Sequence, residues 1–158
     1  MTDRNQPSRA GSADKAPGTF ALEEFLPYRL SIVTQTVSGA LSRIYASRFD
    51  LSVPQWRVMA VLGRYEPISA NEVCDLTVMD KVAVSRAVQA MLRRGLVERT
   101  VDASDRRRSA LRLSKRGRTI HNEIVPLALE YERRLLDSMT PEERAALDLL
   151  LQRLLQSA

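Results

Sequence analysis

Cysteine and histidine are almost absent from this chain. A single Cys74 in 158 residues rules out an internal disulfide framework and makes a reducing compartment the default. His121 is the one histidine, and no run of His, Cys, Asp and Glu has the spacing of a metal site. No Gly-rich phosphate loop and no nucleophile with its base can be read, and Gly95 and Gly117 serve as a helix stop and a turn. An enzyme is therefore not expected, nor any cofactor or metal. No segment reaches the roughly 18 to 20 continuous apolar residues of a membrane span, and the first residues lack a signal-peptide apolar run. A soluble cytoplasmic protein without a membrane partner is expected. At this length one domain with helical extensions fits, and a second, catalytic domain does not.

What the chain does have is locally concentrated positive charge. The net charge is only +5. Lys81 to Arg118 holds twelve Lys and Arg against three acids, a local balance of +9, whereas Thr119 to Ala158 holds four Arg against seven acids, a balance of −3. A patch of this kind is the electrostatic footprint of nucleic-acid binding.

The patch coincides with a recognisable order of elements. Residues 1–19 are rich in Ser, Pro, Gly, Ala, Asp and Arg, with almost no large apolar side chain, and read as a disordered tail. Its Arg4, Arg9 and Lys15 either meet DNA phosphates or stay solvated. From Phe20 to Phe49 apolar residues recur at helical spacing, with a start or bend near Pro27. Ser52-Val-Pro-Gln-Trp56 caps a second helix running to about Tyr65, and Ser69-Ala-Asn-Glu72 is a capping box opening a short helix to Leu76. Asp80 then caps an amphipathic helix that stops at Gly95. Two helices joined by a tight turn make a helix-turn-helix.

Val97 to Thr100 and Ser109 to Leu113 alternate as short strands around the arginine-rich segment Asp105-Arg-Arg-Arg108, giving a wing. Ser114 begins a long helix that Pro126 should kink, and Thr140-Pro-Glu-Glu143 caps a final helix with leucines at 147, 150, 151, 154 and 155. The expected fold is mainly α with a small β-hairpin wing. Its parts are a tail (1–19), an N-terminal dimerisation helix (20–50), a winged helix-turn-helix (51–117) and C-terminal dimerisation helices (118–158). The terminal helices are assigned to a dimer interface because a small winged domain cannot cover so much apolar surface.

In the helix from Asp80 to Arg94, Val84, Ala87, Val88, Met91 and Leu92 form an apolar stripe. Lys81, Val82, Ser85, Arg86 and Gln89 project elsewhere. A helix of this kind fits a major groove, and an arginine-tipped hairpin fits a minor one. Ser69 and Asn71 have two available roles, as donors to phosphate and as caps. Glu72 fits a cap. Cys74 falls on an apolar face as an inert thiol, and His121 is expected to be solvated or intersubunit.

The ordered set Val53-Pro-Gln-Trp-Arg-Val-Met59, Asp80-Lys81, Ser85-Arg86, Arg94-Gly-Leu-Val-Glu-Arg99, Asp105-Arg-Arg107 and Leu111-Arg-Leu-Ser-Lys-Arg-Gly117 resembles the multiple-antibiotic-resistance regulator (MarR) family of bacterial winged-helix transcription factors. The resemblance runs from about Phe20 to the end. It implies a homodimer that binds a pseudo-palindromic, double-stranded operator as a repressor, associated with the nucleoid when bound. It also implies release by a small aromatic acid or phenol.

By the same resemblance Lys81, Val82, Ser85, Arg86 and Gln89 face the major groove, Arg86 toward guanine or phosphate and Gln89 toward adenine. Val82 and Ala83 stand where the family often has Ser or Thr, which suits thymine methyls. Arg107 enters the minor groove, Asp105 orients it, and Arg106 and Arg108 meet phosphates or solvent. The family's ligand region would draw on Tyr28, Arg29 and Ile32 of the first helix with Trp56, Arg57 and Met59 of the second, where arginines beside aromatic rings suit an aromatic carboxylate. Trp56 and Met59 also have a plain role as core, and Arg29 and Arg57 as intersubunit ion pairs. Leu26-Pro-Tyr-Arg-Leu-Ser31 is similar to regulators of aromatic-acid or nicotinate breakdown. The competing reading is a winged helix that docks a protein or RNA without responding to a ligand.

Overall fold

The computed structural model describes residues 20–101 and 109–157. The expected tail at 1–19 and the wing tip at 102–108 lie outside the described residues. A 3-10 turn at Leu22–Glu24 precedes α1 (Leu26–Phe49), α2 (Val53–Tyr65), α3 (Ala70–Thr77) and α4 (Lys81–Arg93). Strands β1 (Val97–Val101) and β2 (Ser109–Leu113) follow, then α5 (Lys115–Leu136) and α6 (Pro141–Ser157). The residues divide into two compact units between Thr36 and Val37, a point within α1.

The helix starts are fixed locally. Ser52 with Gln55, and Ser69 with Glu72, close capping boxes on α2 and α3, each side chain satisfying a backbone N–H that the helix itself cannot. Thr140 and Glu143 make the same reciprocal pair at α6. Pro27 sits in the first turn of α1, where its missing N–H costs nothing, so it starts the helix rather than bending it. Pro126 lies inside α5 without ending it.

In the second unit the core gathers Val58, Met59 and Leu62 of α2, Val73 of α3, and Val84, Ala87, Val88 and Met91 of α4. Leu96, Val97, Leu111 and Leu113 of the hairpin close it, and Tyr45 of α1 and Ile124 of α5 join it. The strands pair antiparallel from Val97 with Leu113 to Val101 with Ser109. A third segment joins them: Ile68 donates to the Leu111 carbonyl at 3.2 Å and Leu111 donates back at 2.7 Å. The chain leaving α2 therefore pairs with β2 on its way into α3.

Side chains tie these elements at a few joints. The Glu66 carboxylate, at the end of α2, accepts from the Leu113 N–H and from the Arg118 guanidinium of α5. Arg118 also donates to the Gly63 carbonyl at 2.9 Å. Arg94 donates to the carbonyls of Asp50 (2.5 Å) and Phe49 (2.7 Å), closing the end of α4 on the end of α1. At Gly117 the backbone of α5 passes so close to the 94–96 turn that a Cβ would stand 2.0 Å from the Leu96 carbonyl oxygen.

Exposed apolar side chains gather at the two chain ends. In the first unit these include Phe20, Phe25, Leu26, Ile32 and Val33, with Phe20 and Phe25 in edge contact at 5.3 Å. In the second unit they include Leu149, Leu150, Leu151, Leu154 and Leu155 of α6, a helix with no buried residue.

Candidate nucleic-acid interface

Helix α4 has two distinct faces. Val84, Ala87, Val88 and Met91 are buried, which sets the rotation of the helix. The residues out of phase with that stripe, Lys81, Val82, Ser85, Arg86 and Gln89, are exposed. Lys81, Ser85, Arg86 and Gln89 have no side-chain partner among the described residues, so their donors and charges are available to a ligand. Val82 is 58% exposed. Asp80 accepts from the Ala83 N–H at 2.8 Å, and Gly95, at φ 63°, ends the turn after α4 in a conformation that most side chains resist. A packed helix with a free polar face, set beside a two-stranded ribbon, is the geometry that enters a major groove.

Other expected site residues divide more unevenly. Ser69 accepts from the Glu72 N–H at 3.3 Å as a cap. Its hydrogen bonds to Glu72 hold that carboxyl below the usual range. Asn71 is exposed in the first turn of α3. Asp105, Arg106, Arg107 and Arg108 lie outside the described residues. The cations of the basic patch are not all free: Arg94 and Arg118 hold backbone carbonyls, and Arg112 pairs with Glu98 at 2.8 Å. The charge presented to a ligand is smaller than a count along the chain suggests.

The ligand candidates separate by unit. Tyr28, Arg29 and Ile32 are exposed in the first. In the second, Met59 is fully buried core, and Trp56 and Arg57 are half-buried. The Trp56 ring lies 5.6 Å from that of Tyr45 and 6.3 Å from that of His121, on which it stacks. Burial raises the Tyr45 phenol above its ordinary value, partly countered by the Arg57 charge. His121, expected to be solvated or intersubunit, is half-buried with its ring against Gly63 of α2; a Cβ there would meet the imidazole Nε2 at 2.1 Å. The signal for this is a glycine in the last turn of α2, on the face that α5 covers. Cys74 is half-buried and free. Among the described residues there is no group of three metal-ligating side chains and no helix long and apolar enough to cross a membrane.

A helix-turn-helix flanked by an antiparallel ribbon, with its second helix presenting a free polar face, defines a winged-helix DNA-binding transcriptional regulator, not an enzyme. The MarR family model matches residues 49–108, which run from the end of α1 through β1 and stop before β2. The chain belongs to the MarR family. It is 27% identical over 118 residues to the HTH-type transcriptional repressor IacR of Pseudomonas putida, covering 73% of this chain and 70% of that one. It is 30% identical to a probable transcriptional regulator of Pseudomonas aeruginosa of known structure, with TM-score 0.72 over 85% of this chain and 99% of the other. The Bordetella bronchiseptica regulator BpsR, whose DNA binding is regulated by 6-hydroxynicotinic acid, shares the fold at TM-score 0.77 and 23% identity, over 87% of this chain and 97% of that one.

Proposed function

We propose that this regulator is a homodimeric repressor that binds a pseudo-palindromic operator and is released by a small aromatic carboxylate or phenol. The observation that carries the DNA reading is the unpartnered face of α4. Arg86 supplies a donor fork for a guanine edge, Gln89 an amide for adenine, Ser85 a hydroxyl, Lys81 a phosphate contact, and Val82 a surface for thymine methyls. Ser69 and Asn71 add phosphate donors. Arg107, oriented by Asp105, reads the width of the adjoining minor groove, with Arg106 and Arg108 on its phosphates.

Dimerisation is supported by the exposed apolar side chains of the first unit and of α6, which a lone chain would leave in water. One recognition helix per chain covers too few base pairs for a selective site, and a two-fold dimer doubles it at a fixed spacing. The effector class rests on Tyr28, Arg29 and Ile32 in the first unit and on Trp56 and Arg57 in the second, residue types that suit an aromatic acid, and on the aromatic acid that regulates BpsR. Met59 belongs to the core beneath α2, on the same helix as Trp56 and Arg57.

The test is footprinting on DNA upstream of the chain's own gene, repeated with a panel of aromatic acids and phenols. Protection of a palindrome with half-sites about one helical turn apart is expected, with loss of protection for at least one compound. Weak, sequence-insensitive binding would instead favour a module that docks protein or RNA. A protected palindrome that no compound releases would sink the effector assignment alone.

A further inference from the structure

The turn between α3 and α4 contains a residue that the fold does not account for. Val78 closes α3 in the left-handed region, at φ 52° and ψ 38°. A β-branched side chain is among the worst choices there, because its Cβ substituents crowd the backbone, and glycine or asparagine would fit better. Strain of this kind is ordinarily offset by packing. Here it is not: Val78 is 92% exposed, the most exposed large apolar side chain among the described residues. The chain thus carries a strained backbone and a wet apolar side chain at one position, and folding recovers neither cost.

Val78 is also not alone. Leu76 is 47% exposed and Val82, in the first turn of α4, is 58% exposed. Val78 lies two residues before the Asp80 cap of α4 and Val82 stands in the first turn of that helix, so the exposed valines flank the start of the helix that carries Lys81, Ser85 and Arg86. With cations at Lys81 and Arg86 on that helix, the occupant of these valines must present apolar groups within a polyanion. Thymine methyls along a major-groove wall do this; an apolar protein surface does not.

We infer that Val78 is a specificity-determining residue of the DNA interface, packing with Val82 against thymine methyl groups at the edge of each half-site. The inference rests on the DNA-reading assignment of α4 and adds a residue outside that helix.

The test uses the full chain and a duplex enriched by the wild-type protein from a random-sequence pool, compared with copies in which single thymines are replaced by uracil. Removing one contacted methyl should weaken wild-type binding about fourfold. Val78→Asn should weaken binding to the parent duplex by a similar factor, be insensitive to uracil at that position, and unfold at the same or higher urea concentration than wild type. Val78→Gly serves as the second variant, relieving the same backbone. Wild-type affinity in both variants would overturn the inference, as would weaker binding that keeps every uracil effect. If the pool enriches no sequence, the DNA-reading assignment fails first and this inference with it. Arg86→Ala separates the two cases, since it must weaken the enriched duplex whatever Val78 does.

Discussion

Replacing Gly117 by alanine should break the joint on which the ribbon is set. A Cβ at 117 would stand 2.0 Å from the Leu96 carbonyl oxygen and 3.0 Å from its carbon, whereas an ordinary carbon to oxygen contact is about 3.3 Å. The obstacle is backbone, so α5 or the 94–96 turn must move by about 1 Å. That carbonyl also accepts from the Ser114 N–H at 3.0 Å, and the Ser114 hydroxyl donates to the Gly95 carbonyl at 2.7 Å. Loss of these two hydrogen bonds costs about 1 kcal/mol each, and overpacking adds about 1–3 kcal/mol. The better helix propensity of alanine returns up to about 1 kcal/mol. A net loss of about 2–5 kcal/mol is expected.

The assay is urea unfolding followed through the fluorescence of Trp56, the only tryptophan, at one protein concentration for all variants so that any association contributes equally. Gly39→Ala in α1 is the control, because nothing lies within 4 Å of the place its methyl would take. It should gain up to about 1 kcal/mol from helix propensity. An unfolding midpoint for Gly117→Ala within error of wild type, at unchanged slope, would refute the steric reasoning.

Asp80→Ala removes the cap of α4 and should cost about 1 kcal/mol in the same unfolding experiment, with Asp80→Asn recovering most of it. Arg86→Ala should weaken operator binding by about 1–3 kcal/mol and flatten discrimination at a single base pair, measured by anisotropy on a set of duplexes at fixed salt. Arg107→Ala should weaken binding most on operators with A·T-rich flanks; equal loss on G·C-rich flanks would argue against minor-groove insertion. Hydrogen bonds from Arg133 and Arg134 lower the Glu130 carboxyl from 4.5 to about 2. Its folded pKa is depressed, so its stabilising effect is complete above pH 4.5 and is lost as pH falls through about 2. An NMR titration showing Glu130 protonated near its ordinary value would contradict that pairing.

The parts of this fold that are legible from sequence are those decided within one turn of chain. Ser52, Ser69, Asp80 and Thr140 announce their helices because a cap needs only the next three residues. The two faces of α4 are legible because its buried stripe follows a helical period. Pairing across distance is not. Nothing local marks Ile68 as a strand partner of Leu111, since its neighbours are a proline and a capping serine. Arg94 and Arg118 look like members of the basic patch because sequence shows charge but not what it faces. Tyr45 and Ile124 are core through contacts made by helices that otherwise carry exposed apolar residues. The ring of His121 likewise takes its place from Gly63, on another helix.

Glu66 and Arg118 are, in evolutionary terms, one character rather than two. The carboxylate accepts from β2 with one oxygen and from α5 with the other, so an amide in its place would leave one donor unmet and an alkyl group both. Lineages should therefore keep or exchange the pair together, whereas Lys81, Ser85 and Gln89 are free to drift one at a time as operators change. A family built this way can diversify what it reads without renegotiating how it stands.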